Sequence, residues 1–230
     1  MSGSKLNVML MGVVLFVGGG LLWFALASGP PSDDSPATIS TPQAPQGIGV
    51  DLSRRDLDDP RAMGKVDAPV VLIEYADFRC PFCGVFARDT EPELKKYVED
   101  GTLRIEFRDL AIFGEQSTRA AAASRAAGQQ GKFWEFHSAV YADAPERGHA
   151  NLTDSALVVY ATKIGVKDMV QFKKDMNSTK VATDVQSDAE EAYGIGASST
   201  PLFLVNDEPI LGAQPASVFI EKIERLAAAS

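Results

Sequence analysis

The two cysteines of this 230-residue chain, Cys80 and Cys83, lie three positions apart in the stretch VVLIEYADFRCPFCG, which runs from Val70 to Gly84. The apolar residues before them predict a buried strand. A helix that begins at Cys80 puts both sulfurs one turn apart on the same face, where they can close a small disulfide ring. The sequence therefore predicts a reversible redox pair between a strand and a helix.

Cys80 is predicted to be the attacking and attacked sulfur of this pair. In the first turn of a helix it faces unpaired backbone N–H groups and the positive end of the helix dipole, which favour the thiolate and lower its pKa. Cys83 lies one turn inside, so we expect it to be more buried and to resolve mixed disulfides formed at Cys80. This division of roles requires the Cys80 sulfur to be open to solvent.

A zinc site and a purely structural disulfide are the alternatives for these cysteines. A zinc site takes four ligands, but the sequence has no second cysteine pair, and His137 and His149 are not at a ligand spacing. We therefore expect no metal or other cofactor, and we interpret His137 as a core residue of its helix. So small a disulfide loop restrains the unfolded chain little, which disfavours a structural role.

The amino-terminal region predicts export of the domain that follows it. Leu6 to Ala27 is a run of 22 residues without a charge, long enough to cross a bilayer as a single-pass helix. Lys5 before it and the acidic residues after it place the domain on the extracytoplasmic side of the cell membrane. The alternative is a signal peptide cleaved after Ala27 and a secreted protein. Either way the domain reaches a compartment where dithiols act on other proteins' cysteines.

Three regions follow from composition: residues 1–27 as membrane anchor or signal segment, residues 28–49 as a disordered proline-rich linker, and residues 50–230 as one folded domain. The linker carries five prolines among small polar residues and cannot build a core. The formal net charge of −9 argues against nucleic acid and anionic membrane surfaces as partners.

The hydrophobic periodicity of the folded region predicts an α/β domain. Val70 to Ala76 is typical of a central strand covered on both faces, whereas Leu103 to Asp109 alternates apolar and charged residues, which predicts one exposed face. The helix from Pro81 meets Pro92, which should kink or divide it, and then runs to Gly101. The charged segment before the first strand is expected to wrap around the edge of the domain.

The second half of the chain reads as helices followed by two short strands and a last helix. Helical stripes cover Ser117 to Tyr193. Strand patterns return at Pro201 to Val205 and at Pro209 to Leu211, and a final helix begins near Pro215. The order of elements is that of an α/β domain with a helical insertion.

Glu74 is the exception in the first strand. A carboxylate there is costly unless it is paired or protonated. Six residues before Cys80, it would lie beneath the cysteine helix and exchange a proton with Cys83. The alternative is a partly exposed carboxylate at the end of the strand with no catalytic part, and the residues alone leave both interpretations open.

Taken together, these features resemble the DsbA-like branch of the thioredoxin superfamily. The residues that carry the resemblance are the strand into Cys80-Pro81-Phe82-Cys83, the pair Thr200-Pro201 at the start of a later strand, the turn Val205-Asn206-Asp207, and Gly212-Ala213-Gln214-Pro215 before the last helix. The resemblance covers Val50 to Ala229. The helices between Ser117 and Tyr193 are similar to the insertion that separates this branch from simple thioredoxins.

The resemblance implies site residues beyond the cysteines. Thr200-Pro201 would be a cis peptide that faces the cysteines, with the Thr200 backbone pairing with an extended substrate segment. Glu74 falls where the family has a buried acid, which favours the proton-transfer role. Phe82 departs from the best-known DsbA, which has a histidine that favours the thiolate. We expect a less oxidising couple here, with Phe82 as an apolar contact for unfolded substrates.

The function implied by the resemblance is that of an exported thiol:disulfide oxidoreductase. It would form disulfides in secreted or cell-envelope proteins, act as a monomer, and be reoxidised by a quinone-linked membrane partner. A disulfide isomerase or reductase would use the same residues and is one alternative. A holdase whose cysteines are incidental is another, from a different class.

Overall fold

The structure is a computed structural model that describes residues 47–230. The predicted anchor or signal segment, and nearly all of the predicted linker, lie outside the described residues. Across residues 47–230 no helix combines the length and the apolar character that a membrane span requires.

Residues 47–230 form five strands, eight α-helices and one π-helix. In chain order they are β1 (Ala62–Met63), β2 (Val70–Ala76), α1 (Pro81–Val85), the π-helix (Phe86–Thr90), α2 (Glu91–Asp100), β3 (Leu103–Asp109), α3 (Glu115–Gly128), α4 (Phe133–Ala142), α5 (Asp154–Lys163), α6 (Met169–Met176), α7 (Thr179–Gly194), β4 (Leu202–Val205), β5 (Glu208–Leu211) and α8 (Ala216–Ala227).

The centre of the sheet is β2, and this strand positions the cysteines. The strand order is β1-β3-β2-β4-β5, with β2 parallel to β3 and every other neighbouring pair antiparallel. All seven residues of β2 are buried, as its continuous apolar run predicts. The chain leaves the carboxyl end of this rigid strand and enters α1 after a short loop.

The prediction that β3 has one exposed face is wrong, because all seven of its residues are buried. Its charged side chains neutralise one another: Arg104 and Arg108 donate to Glu106 at 2.8 and 2.7 Å. The backbone N–H groups of Arg54 and Arg55 also donate to Glu106, at 3.0 and 2.9 Å. The segment before β2 thus covers the charged face of β3, which agrees with its predicted position at the edge of the domain.

Pro92 divides the cysteine helix, as predicted, and the division takes the form of a π-helix. The Glu91 N–H bonds to the carbonyl of Phe86, five residues earlier. Because proline lacks an N–H and its ring clashes with the carbonyl four residues back, a regular α-helix cannot continue through Pro92 without disruption. The wider π turn accommodates it. As a result two consecutive residues, Thr90 and Glu91, are both buried.

Helices α3 to α7 form the insertion that the sequence predicts, with small differences at its ends. The alanine-rich α3 contacts each of the other four, because its short side chains let neighbouring helices approach closely. The apolar core of the insertion is continuous with Cys80 and Cys83. The insertion therefore packs directly against the cysteine helix.

Candidate active site

Cys80 is the residue that caps the amino end of α1, with an extended backbone. Its N–H donates to the Asp77 carbonyl at 2.9 Å, and Pro81 occupies the first turn, where no N–H is needed. The Asp77 carboxylate accepts the N–H of Arg79 at 2.8 Å and that of Ile112 at 2.7 Å. Asp77 therefore fixes the loop that presents Cys80.

A second set of contacts ties this loop to the segments around the helical insertion. The Arg79 guanidinium donates to the carbonyls of Phe113 and Ala150, the latter at 2.8 Å. Nδ1 of His149 lies 3.2 Å from the Arg79 carbonyl, and its ring stacks on Phe113 with 4.2 Å between centroids. No sequence pattern singles out Arg79 or assigns a role to His149; the local signal is the stretch Asp77-Phe78-Arg79 directly before Cys80.

Thr200-Pro201 is a cis peptide, as the resemblance implies. It reaches the cysteines although 120 residues separate Thr200 from Cys80: Sγ of Cys80 lies 3.3 Å from the Thr200 carbonyl oxygen. Phe82, which lies between the cysteines, is 61% exposed. The structure therefore brings together Cys80, Cys83, Thr200 and Pro201, with Phe82 at the surface beside them.

The expectation that the Cys80 sulfur is open to solvent is wrong for this structure. Cys80 is 1% exposed and Cys83 is 0% exposed, so neither sulfur is open to solvent, although Cys83 lies deeper in the protein, as the sequence predicted. Cys80 is covered because it packs into the core of the insertion on one side and against Thr200 on the other. A substrate sulfur can reach Cys80 only when these neighbours move apart.

The two thiols nevertheless differ strongly in acidity. A hydrogen bond from Cys83 lowers the pKa of Cys80 to about 6 in spite of burial, with help from Thr200 and from the N–H groups of Phe82 and Cys83. These N–H groups are the helix-terminus donors that the sequence predicts. Burial raises the pKa of Cys83, and the charges of Cys80 and Glu74 raise it further. At neutral pH the pair is a thiolate beside a thiol.

Glu74 is 0% exposed, and neither of its carboxylate oxygens has a hydrogen-bond partner among the described residues. The interpretation of Glu74 as a partly exposed carboxylate is therefore wrong. Burial raises the pKa of Glu74 well above its usual range, and the nearby charges of Glu91 and Cys80 raise it further. Burial therefore favours the protonated form of Glu74.

Glu91 and His137 lie beside Glu74 in the same buried cluster. One ligand-type atom from each of the three lies within 4.8 Å of the others. Two ligands of a tetrahedral zinc ion sit only about 3.3 Å apart at normal bond lengths, and such a site takes four. The trio supplies three ligands, one fewer than a closed zinc site of this kind takes.

His137 packs as a core residue, in agreement with its interpretation from the sequence, but it also faces the acids. Its ring contacts the rings of Trp134 and Tyr141, with centroids 5.2 and 4.8 Å away. Burial lowers the pKa of His137 to about 3, so the ring is neutral. Glu91 carried no signal in the sequence, because its burial depends on the π turn that precedes it.

The sequence of this chain is similar to a protein-family model and to several known proteins. A sequence model of the thioredoxin family matches residues 56–225. The probable disulfide bond formation protein D of Bacillus cereus is 31% identical over 150 residues, which are 64% of this chain and 69% of that protein. The Na(+)/H(+) antiporter NhaA 1 of Mycobacterium sp. (strain KMS) is 34% identical over 184 residues, which are 78% of this chain but 29% of the antiporter.

Among solved structures, oxidised BdbD from Bacillus subtilis superposes with a TM-score of 0.69 at 26% identity. The superposition covers 75% of this chain and 95% of BdbD. The similarity therefore extends over the sheet and the helical insertion together.

Proposed function

Because the chain belongs to the DsbA-like thiol:disulfide oxidoreductases of the thioredoxin family, we propose that it forms disulfides in secreted or cell-envelope proteins through Cys80 and Cys83. The observation that carries the proposal is the pair of opposite pKa shifts within one helical turn, lowered to about 6 at Cys80 and raised at Cys83. A stable thiolate favours the reduced enzyme, so the enzyme's disulfide is readily given to a substrate.

The proposed reaction is an exchange of disulfide bonds. A substrate thiolate attacks Sγ of Cys80, the bond between Cys80 and Cys83 breaks, and Cys83 leaves with the electron pair and takes up a proton. A second substrate thiol, after losing its proton, attacks the substrate sulfur of the mixed disulfide, and Cys80 leaves as a thiolate. The substrate has then lost two electrons to the enzyme's two cysteines.

Substrate contact is assigned to Phe82, Thr200 and Pro201. The Thr200 carbonyl lies 3.3 Å from Sγ of Cys80, close enough for the neighbouring backbone to pair with an extended peptide whose sulfur approaches Cys80. The exposed ring of Phe82 offers apolar contact beside it. Because Cys80 is buried, the approach of the peptide has to separate Cys80 from the groups that cover it.

Export and reoxidation complete the proposal. The apolar run Leu6 to Ala27 supports a single-pass anchor with the domain outside the cytoplasm, and residues 28–49 supply the linker. The reduced enzyme needs an oxidant, for which we propose a quinone-linked membrane protein. Tethering to the same membrane would raise the effective concentration of the two partners.

The test is trapping with the variant Cys83→Ala. After its Cys80 is activated as a mixed disulfide with a small aromatic thiol and mixed with an unfolded substrate that has a single cysteine, it should accumulate a mixed disulfide through Cys80, because neither Cys83 nor a second substrate thiol is present to resolve it. The matched control Cys80→Ser, Cys83→Ala should trap nothing. Absence of the trapped species in Cys83→Ala would refute the assignment of roles.

Two further readouts separate the alternatives. Faster reshuffling of a scrambled test protein than oxidation of a reduced one would select an isomerase. Full retention of biological activity in the Cys80→Ser, Cys83→Ser variant would select a holdase.

A further inference from the structure

The two sulfurs of the cysteine pair use different backbone donors. Cys80 is favoured as a thiolate by the N–H groups of Phe82 and Cys83, in the first turn of α1. The N–H groups of a helix point towards its amino end, so they serve a sulfur at that end rather than one that lies a turn inside. Cys83 is 0% exposed and lies a turn inside. A thiolate at Cys83 therefore needs a donor from outside α1.

The backbone of Asp77 supplies such a donor. Asp77 is the residue directly after β2 and is 1% exposed. Its N–H donates towards the sulfur of Cys83, where it opposes the rise in the pKa of that thiol that burial causes. Its carbonyl accepts the N–H of Cys80 at 2.9 Å. One residue therefore acts on both cysteines through its main chain.

The side chain of Asp77 holds this backbone in place. Its Oδ1 accepts the N–H of Arg79 at 2.8 Å, and its Oδ2 accepts the N–H groups of Ile112 and Phe113 at 2.7 and 3.1 Å. Hydrogen bonds to an ionised acceptor are shorter and stronger than those between neutral groups, so three of them fix the carboxylate in one orientation. The carboxylate therefore joins the loop before Cys80 to the loop after β3.

A further contact aims the Asp77 N–H. The carbonyl of Ala76, which belongs to the same peptide plane, accepts the N–H of Leu110 at 2.9 Å. In a planar trans peptide the carbonyl and the N–H point in opposite directions. The contact with Leu110 on one side therefore keeps the N–H directed at Cys83 on the other. A donor held in this way needs no reorganisation when charge appears on the sulfur.

We propose that the Asp77 N–H stabilises the negative charge that appears on Sγ of Cys83 when the disulfide breaks, and that the Asp77 carboxylate positions this donor. The inference rests on the proposed exchange reaction and adds a residue to it. The arrangement is the sulfur counterpart of an oxyanion hole, because a fixed backbone donor faces the atom on which charge develops. It acts on Cys83 both as a leaving group and as a nucleophile.

Bonds and electrons balance in both directions. When a substrate thiolate attacks Cys80, a new S–S bond forms and the bond between Cys80 and Cys83 breaks. The electron pair of the broken bond passes to Sγ of Cys83, which accepts the hydrogen bond from Asp77 while the N–H keeps its proton. When Cys83 attacks a mixed disulfide at Cys80, the same contact holds the attacking thiolate, and the partner leaves as a thiolate. Neither step requires a further oxidant or reductant.

The titratable groups that face Cys83 do not favour its thiolate. Burial raises the pKa of Cys83, and the charges of Cys80 at the start of α1 and of Glu74 from β2 raise it further. Tyr141 from α4 is neutral, because burial raises its pKa, and its hydroxyl has no hydrogen-bond partner among residues 47–230. None of these three side chains brings a positive charge to the sulfur. The stabilisation therefore falls to the N–H of Asp77.

The experiment separates the steps of the two cysteines. Reduced enzyme is mixed with one equivalent of a coloured aromatic disulfide, so that attack by Cys80 releases a first coloured thiolate and attack by Cys83 releases a second. Asp77→Asn keeps the size of the side chain but leaves one acceptor oxygen, so it loosens the carboxylate's hold on the loop. The second release should become slower, whereas the first should keep its rate.

The expected slowing of the second release is about 3-fold at neutral pH. Loss of one hydrogen bond to a charged sulfur lowers the thiolate fraction of Cys83 about tenfold. The less stabilised thiolate is the better nucleophile, which offsets about half of that loss on a logarithmic scale. The sign is diagnostic, because Asp77→Asn also removes a negative charge. If charge were the only contribution of Asp77, Cys83 would ionise more easily and the second release would become faster.

A second variant removes the N–H and keeps the carboxylate. It carries an ester in place of the amide between Ala76 and Asp77, introduced with the α-hydroxy analogue of aspartate. The second release should slow in this variant as well. Asp89→Asn, which neutralises an exposed carboxylate in the π-helix, is the matched control and should leave both releases unchanged.

The outcomes distinguish this inference from the proposed function. A second release that is unchanged or faster in either variant would overturn the role of Asp77 and leave the exchange reaction intact. Equal slowing of both releases would show a merely structural role and overturn it too. If circular dichroism shows that Asp77→Asn does not fold, the ester variant decides alone. Failure of the unaltered protein to release the second thiolate would overturn the exchange reaction itself.

Discussion

The acidity of Cys80 has a measurable consequence for the redox equilibrium. A thiol whose pKa is lowered from 9.0 to about 6 is mostly thiolate at pH 7, whereas an unshifted one is almost entirely protonated. The reduced form is then favoured about 11-fold at pH 7, or about 1.4 kcal/mol. For a two-electron couple this makes the disulfide about 30 mV more oxidising. Solvent around the site screens part of this electrostatic effect, so the ratio, the free energy and the potential difference are upper limits.

The sign of the pH dependence follows from the direction of the shift. Because the pKa of Cys80 is lowered, the stabilisation of the reduced form is fully present above pH 9 and is lost as the pH falls through about 6. The assay is the ultraviolet absorbance of the thiolate during a pH titration, which does not depend on access to the buried sulfur. An absorbance step near pH 6 is expected.

The variant Cys83→Ala tests the cause of the shift. It removes the hydrogen bond that lowers the pKa of Cys80 most, so the step should move upward, yet stay below pH 9 because Thr200 and the backbone N–H groups still act. Cys83→Ser, which keeps a donor, should move it less. A step at pH 8 or above in the unaltered protein would refute the reasoning.

The remaining predictions concern potential and stability. Phe82→His should raise the reduction potential measured against glutathione, because a histidine favours the thiolate; an unchanged or lower potential would contradict the role given to Phe82. Asp188→Asn should cost about 3–5 kcal/mol in urea unfolding, since Arg61 and Arg125 would keep buried charges without their shared partner. Ser178→Ala should cost about 1 kcal/mol, because the Ser178 hydroxyl accepts the Val181 N–H at 3.2 Å and caps α7; equal stability would exclude the cap.

The sequence correctly predicted the parts of the site whose geometry depends only on residues close together in the chain. The strand before Cys80 is a continuous apolar run, and the two-residue spacing to Cys83 fixes a helical turn, so both were readable without the fold. Thr200 and Pro201 could be placed beside Cys80 only through the family resemblance, because no periodicity links segments so far apart.

The burial of β3, Cys80 and Glu91 depends on contacts between distant parts of the chain and could not be predicted from the sequence. Alternation predicted an exposed face for β3, but the backbone of residues 54 and 55, outside the sheet, supplies donors to Glu106 and closes that face. The burial of Cys80 likewise depends on the insertion and on Thr200. Glu91 looked like an ordinary helix carboxylate, since nothing in its neighbours except Pro92 signals the altered turn.

The π-helix sets the direction in which Glu91 points. In an uninterrupted α-helix the eight steps from Cys83 to Glu91 would rotate the chain by about 800°, which leaves Glu91 about 80° away from the direction of Cys83. Each residue of the π turn rotates less, and Glu91 swings inward until it is 3% exposed. A loop or helix graft that restored the regular pitch would keep every side chain and still turn this carboxylate towards water. The turn geometry of this helix, as much as its residues, therefore decides that Glu91 is the acid buried near the cysteines.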